Sequence, residues 1–320
     1  MSSVHASSLE AVAKASEVPS GVYHDDYVFP KTKLALDQPE TSPGKTPLVA
    51  IACGSFSPVT NLHLRIFEMA KDHFADHDHY YLCGGYMSPV SDAYNKAGLV
   101  GWEDRVQMCE AALNDSDWIM VDPWESRQKE WQRTAWVLDH FDVMINGKDK
   151  RGHLLPDGTR RKVHIMLLAG SDVIQSFTVP KLWREEDLHH IVGHFGCIII
   201  ERQGADVGEF LLKDDILYQH RVGCTMPLRE RSLHISQSSA SLQKMIHLIK
   251  QYISNDISST KIRLLVKRKR SIKYLLPDAV IDHIFKNGLW GAEPKKRRAT
   301  DTEVDMIPSV MDGVKKRRRG

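Results

Sequence analysis

Gly54-Ser55-Phe56-Ser57-Pro58-Val59-Thr60-Asn61-Leu62-His63 follows the apolar run Leu48-Val49-Ala50-Ile51-Ala52-Cys53. It leads into Leu62, Ile66, Met69 and Ala70 at helical spacing, with Phe67 and Phe74 alongside. The apolar run has the length and composition of a parallel strand buried on both faces. Strand, glycine-containing turn and helix is the unit that holds a nucleotide in a doubly wound sheet, because free backbone N–H groups and the helix dipole favour phosphate there. Gly54 is expected to let the chain turn sharply, Thr60 to cap the helix, and His63 to sit one turn in, on the phosphate side.

The turn has neither the Gly-x-Gly-x-x-Gly spacing nor Gly-x-x-x-x-Gly-Lys-Ser/Thr. Gly44-Lys45-Thr46 imitates the end of the latter, but it precedes the strand, and Pro39 occupies the place of the first glycine. A lone histidine here would read as a packed ring beside a cap. A second motif some two hundred residues later, Asn255-Asp256-Ile257-Ser258-Ser259-Thr260-Lys261-Ile262-Arg263, changes the weighing. Ser and Thr at a helix start leave N–H groups pointing outward, and Arg263 one turn on can aim a guanidinium at the same space. Alone, this pattern reads equally well as an N-cap with a surface arginine.

Together the two motifs resemble Gly-x-Phe-x-Pro-x-(His/Thr)-x-x-His and Ile-Ser-Ser-Thr-x-x-Arg of the nucleotidylyltransferase superfamily. The Thr60-x-x-His63 form is similar to the eukaryotic, fungal-like nicotinamide/nicotinate mononucleotide adenylyltransferases, over roughly residues 47–291. Ser88–Tyr94, Val121–Ser126 and Pro180–Trp183 resemble further family segments. The resemblance implies an α/β fold with a Rossmann-like, doubly wound, mostly parallel sheet and disordered termini. It implies transfer of the adenylyl group of ATP to nicotinamide mononucleotide, and to the nicotinate form, with Mg²⁺ accompanying ATP and no protein metal ligands. His63 and Arg263 are implied as catalytic. Gly54, Ser55, Thr60, Gly170, Asp172, Asn255, Ser258, Ser259 and Thr260 join them around ATP and its phosphates. Ser55, Phe56, Trp124 and Trp183 are implied at the mononucleotide, with Trp124 stacking on the nicotinamide ring. Gly84-Gly85 departs from the Lys-Gly of animal members, whose lysine helps hold the mononucleotide phosphate. Ser57 replaces the commoner Asn, and Arg270 stands where a Gly usually ends the helix.

Composition bounds the rest. With 320 residues, 42% of them hydrophobic, the chain can bury a full core. The net charge of +2 conceals an asymmetry: residues 295–320 hold nine Lys/Arg against four Asp/Glu, leaving 34 against 37 before them. A near-neutral body gives no reason to expect a nucleic-acid groove. Cys53, Cys83, Cys109, Cys197 and Cys224 are scattered and odd in number, which fits a reduced compartment. With no signal-peptide pattern and no membrane-length apolar run, a soluble intracellular protein is expected.

Along the chain, residues 1–46 read as a mostly disordered leader with a brief helical tendency near Leu9–Ala15, and the domain as 47–291. Further strands are expected at Tyr80–Gly85, Trp118–Val121, Val163–Gly170, Ile191–Ile200 and Ile246–Ile249. A helix is expected at Glu103–Leu113. A second one carries Trp131, Ala135, Leu138 and Ile145 on one face, Gly147–Lys162 is a surface loop, and Gly170-Ser171-Asp172 opens another helix. Residues 222–244 break the rhythm and read as an unstructured insertion or an unspliced intron. Lys267–Arg270 reads as a solvated helix end.

Residues 292–320 read as a disordered basic tail, in which Lys295-Lys296-Arg297-Arg298 and Lys315-Lys316-Arg317-Arg318-Arg319 suit a bipartite nuclear signal. Expected partners are ATP, the mononucleotide and a nuclear import receptor, with no membrane and no required nucleic acid. A homo-oligomer is expected, of unspecified subunit number. The expected location is the nucleus, with the cytoplasm open. Two alternatives stay open on sequence: another small-molecule nucleotidylyltransferase, or a nuclear binding or chaperone-like protein with an impaired site.

Overall fold

A strand covered on both faces needs apolar side chains at successive positions, and β1 (Thr46–Gly54) supplies them. Leu48, Ala50 and Ala52 join one buried cluster, while Val49 and Ile51 join another on the opposite face of the sheet. The computed structural model describes residues 23–36, 44–155, 158–201, 207–220 and 245–293.

The chain continues through α1 (Asn61–Ala75), β2 (Tyr80–Pro89), α2 (Trp102–Ala112), β3 (Ile119–Val121) and α3 (Thr134–Asn146). A two-stranded hairpin, β4 (His153–Leu154) and β5 (Arg160–Arg161), precedes β6 (His164–Gly170), α4 (Ser171–Phe177) and α5 (Glu185–His190). There follow β7 (Cys197–Glu201), α6 (Val207–Lys213), α7 (Asp215–His220), β8 (Ile246–Lys250), α8 (Ser259–Lys267) and α9 (Asp278–Lys286). Six strands form one sheet in the order β3-β2-β1-β6-β7-β8, and every pairing in it is parallel. Helices α1, α2, α8 and α9 cover one face, and α3 to α7 contribute buried residues to the other. The expected doubly wound fold is what forms.

The strand order reverses between β1 and β6, whose last registered pair is Ile51 with Leu167. Three residues beyond that pair on each strand stand Gly54 and Gly170. The two chains then leave for helices on opposite faces, which opens a crevice at the carboxyl edge.

Several expectations change. The leader does not extend to residue 46: residues 23–36 lie against the β3–β2 side of the sheet as a strap. Phe29 is buried and stacks on Tyr86 at 5.3 Å, Tyr86 Oη donates to Pro30 O, and Ala35 N donates to Cys83 O. Trp131 precedes α3 instead of lying on its face, because the helix starts at Thr134. The loop at 147–162 holds the small hairpin. The strand expected from Ile191 begins only at Cys197, since Ile191–Phe195 coil as a helical turn. Gly196 then breaks the turn at φ +85°, where an added Cβ would stand 2.6 Å from Met245 O. The 222–244 segment, the residues before 23 and the basic tail beyond Glu293 lie outside the described residues. Among the described residues no helix is long and apolar enough to cross a membrane.

The Gly84-Gly85 departure has a packing cause. A Cβ on Gly84 would meet Leu34 Cδ2 of the strap at 2.5 Å, and one on Gly85 would be wedged between Phe67 and Trp118 at 3.0 and 3.1 Å. Gly85→Ala is therefore expected to destabilise by about 1–3 kcal/mol in urea unfolding, because two aromatic rings must shift. Gly84→Ala should be milder, since the tip of Leu34 can move, and Leu34→Ala should offset it. Equal losses at the two glycines would contradict this packing.

Candidate active site

The crevice is a cavity of about 390 Å³ lined from the carboxyl ends of the strands. Gly54, Ser55, Phe56 and His63 come from the β1–α1 turn, and Tyr94 and Lys96 follow β2. Glu125, Trp131, Gln132 and Thr134 come from the β3–α3 segment, Gly170, Asp172 and Ser176 from the start of α4, and Trp183 from the loop after it.

The turn is held open by shape. Gly54 ends the strand without positive φ, and its missing Cβ makes room for the Phe56 ring, 3.1 Å from where that atom would be. Phe56 itself sits at φ 41°, a left-handed conformation that is strained for a bulky residue, and the Ser57–Pro58 peptide is cis. The expected sharp turn thus occurs at Phe56, and Gly54 serves close packing.

His63 is oriented by the turn that precedes it. Thr60, the N-cap, donates its backbone N–H to His63 Nδ1 at 2.9 Å, and its hydroxyl lies 2.8 Å from the same nitrogen. A ring nitrogen that accepts a backbone N–H carries no proton, so the ring proton belongs on Nε2. His63 faces the cavity as a donor.

The second motif docks on the first. Ser258 caps α8 by accepting Lys261 N–H, and Ser259 Oγ donates to Pro58 O at 2.8 Å. Arg263 donates from Nη1 to Ser57 O, and from Nη2 to Ala97 O and Thr260 Oγ1. It lies over Gly98, where an added Cβ would be 2.7 Å from its Nε. Among the described residues no carboxylate pairs with it, and partial burial draws its pKa below the ordinary arginine value. None of Arg263, Ser258, Ser259, Thr260 and Asn255 lines the cavity: Ser259 and Arg263 bind the turn, Thr260 meets Arg263, and Asn255 Oδ1 accepts Ile257 N–H within its own loop.

Arg105, which carries no motif, is fully buried beneath this turn. It donates to Asp92 Oδ1 at 2.7 Å, to Val100 O and to Ser55 O, and Ser57 Oγ bridges Gly98 O and Val100 N. A charge buried this completely persists only with such partners. Nothing in its helix pattern distinguishes it from a surface arginine.

Trp183 is where it was expected, on the cavity wall, with Nε1 donating to Ser176 Oγ and its ring edge-on to Phe177. Trp124 is not. It is 1% exposed and stacks on His140 with ring centroids 4.1 Å apart, so it lies behind the wall, and Trp131 presents the indole to the cavity. Position 84 is not on the wall either, whereas Lys96 is.

Residues 51–265, well over half of the chain, match the family model described as cytidylyltransferase-like. The chain is 45% identical over 294 residues to nicotinamide/nicotinic acid mononucleotide adenylyltransferase 1 of Saccharomyces cerevisiae, covering 89% of this chain and 67% of that one. It is 46% identical over 296 residues to the corresponding protein of Schizosaccharomyces pombe, covering 90% and 74%. With adenylyltransferase 1 of Bos taurus it shares 38% over 280 residues, covering 79% and 92%. The solved nicotinic acid mononucleotide adenylyltransferase of Plasmodium falciparum, complexed with NaAD, superposes with a TM-score of 0.50 at 18% identity, over 77% of this chain and 98% of that one, which shows the shared fold. The chain belongs to the cytidylyltransferase-like family, on its nicotinamide/nicotinic acid mononucleotide adenylyltransferase branch.

Glu125 gives the site a pH signature. It is fully enclosed, accepts the Ser88 hydroxyl at 2.5 Å, and burial pushes its pKa up to about 8 from an ordinary 4.5, against the lowering effect of that hydrogen bond. Its folded pKa lies above its unfolded one, so its contribution to stability is complete below 4.5 and is lost as pH rises through about 8. Glu125→Gln should therefore gain stability relative to the unmodified protein between pH 5 and pH 9. The gain is on the order of a few kcal/mol, from about 1.4 kcal/mol per pKa unit. Urea midpoints at both pH values check it, and a constant gap would overturn it.

Proposed function

We infer that this protein transfers the adenylyl group of ATP to nicotinamide mononucleotide and to its nicotinate form, making NAD or deamido-NAD and pyrophosphate. The observation that carries the reading is the joined pair of motifs at the switch point: His63 offering a donor and Arg263 locked onto the same turn, in a chain similar over most of its length to named adenylyltransferases.

In the reaction a phosphate oxygen of the mononucleotide attacks the α-phosphorus of ATP in line. The bond from that phosphorus to the bridging oxygen breaks, and pyrophosphate leaves. The attacking oxygen is already anionic, so neither a side-chain nucleophile nor a strong base is required. Holding the two substrates in line is worth roughly 7–11 kcal/mol. His63 Nε2–H and the Arg263 guanidinium supply hydrogen bonds and positive charge where negative charge accumulates. Ser258, Ser259 and Thr260 open α8, whose N-terminal N–H groups favour the triphosphate. Gly54, Ser55, Gly170 and Asp172 border the ATP half.

At the other half, Phe56, Trp131 and Trp183 offer apolar and aromatic surface to the pyridine ring. Lys96 takes the part of cation for the mononucleotide phosphate, which position 84 cannot. Mg²⁺ is proposed to travel with ATP and to neutralise phosphate charge. Among the described residues no three His, Cys, Asp or Glu side chains converge to cage a metal, and Glu125 and Asp172 are the acidic residues on the wall, so phosphate oxygens and water would hold the ion.

Purified protein given nicotinamide mononucleotide, ATP and Mg²⁺ should release NAD and pyrophosphate in equal amounts. His63→Ala should lower turnover about 10²–10³-fold with folding intact. An active His63→Ala protein would sink the assignment. Lys96→Ala should instead raise the KM for the mononucleotide and spare that for ATP. The tail clusters are proposed as a nuclear import signal, read by the distribution of a fluorescent fusion with and without residues 295–320; unchanged nuclear accumulation would remove the proposal.

A further inference from the structure

We propose that the strap, residues 23–36, is a working part of the mononucleotide end of the cleft, with Tyr27 as the positioning residue for the loop that carries Glu125, Trp131 and Gln132. The inference rests on the adenylyl-transfer reading above.

The loop leaves β3 at Asp122, and its fold depends on that carboxylate. Asp122 is 1% exposed. Oδ1 accepts Trp124 N–H at 3.1 Å and the Tyr27 hydroxyl at 3.0 Å, while Oδ2 lies 2.9 Å from His140 Nε2. His140 in turn stacks face to face on Trp124, and its Nδ1 faces the Tyr23 hydroxyl at 3.0 Å. The buried Trp124 Nε1 has no partner among the described residues, but with His140 donating from Nε2 to the carboxylate and accepting at Nδ1 from Tyr23, both carboxylate oxygens and both ring nitrogens are partnered. Two of those partners belong to the strap.

Glu125, next to Trp124, is the first loop residue on the cavity wall, and Trp131 and Gln132 follow as the chain approaches α3. The strap thus braces from behind the wall that the mononucleotide meets in front. Its own seat does not depend on the loop: Phe29 is buried against Tyr86 and Phe141, Leu34 fills the space at Gly84, and Leu36 O accepts Arg161. An added ion pair, Arg127 with Asp26, is exposed and of small weight.

The test compares two Tyr→Phe changes in the full chain. Tyr27→Phe removes a hydroxyl that donates to the hub carboxylate, whereas Tyr86→Phe removes a nearby hydroxyl that donates to Pro30 O of the strap instead of to the hub. Tyr27→Phe should raise the KM for nicotinamide mononucleotide about tenfold, the loss of one hydrogen bond to a carboxylate, with kcat and the ATP KM within about twofold. Tyr86→Phe should lower the melting temperature and leave both KM values unchanged. An unchanged mononucleotide KM in Tyr27→Phe would overturn the proposal. So would equal rises in both variants with equal loss of melting temperature, because the strap would then be acting through stability alone. If the unmodified protein made no NAD, the reaction reading would fail separately. Titration of nicotinamide mononucleotide by calorimetry would then decide the strap, with about tenfold weaker binding to Tyr27→Phe as support and equal binding as refutation.

Discussion

The hydrogen-bonded pairing of β1 with β2 on one edge, carried across a register shift between Leu48 and Val49, and with β6 on the other is the constraint on which the molecule depends. Because β1 is central and enclosed on both faces, its end is fixed in space to within the freedom of a core backbone. The divergence of the chain after Gly54 and Gly170 then makes a crevice without any further instruction. A strained Phe56 and a packed Gly54 turn that fixed end into a wall. The fold sets where chemistry can happen, and the turn sets its direction.

The polar groups of the two motifs serve structure and chemistry at once. Thr60 N–H determines which nitrogen of His63 carries the proton, and Arg263 binds the main chain of the turn beneath which the buried Arg105 guanidinium sits. Removing one such group takes away a donor to substrate and a brace of its neighbour together. Free energies of single substitutions here will therefore not add.

What could be read from the sequence follows the range of the interaction. The strands of the sheet were legible because continuous apolar runs have one stable environment. The Thr60-to-His63 relation was legible because it spans one helical turn, and the second motif because it too is local. The exchange of Trp124 for Trp131 was not: both follow β3, and only the stacking partner His140, sixteen residues on from Trp124, decides which indole turns inward. Gly196 hid the true start of β7, since a β-branched run beginning at Ile191 mimics a strand until a positive φ interrupts it. The strap was missed because its apolar residues follow neither a helix nor a strand period, and their partners are distant in sequence.

That last feature has a consequence for how the protein comes into being. Tyr27 and Leu36 leave the ribosome long before His140 and Arg161, which receive them more than a hundred residues later. At about 5–20 residues per second, β2 emerges early enough to seat Phe29 and Leu34, but the hub that receives Tyr27 is complete only once His140 has followed. The Tyr23 and Tyr27 hydroxyls must wait for it, and the cleft acquires its final brace from the earliest part of the described chain. Maturation of the site is thereby tied to the closing of the longest loop in that half of the molecule, a step slowed by the entropy of bringing distant segments together.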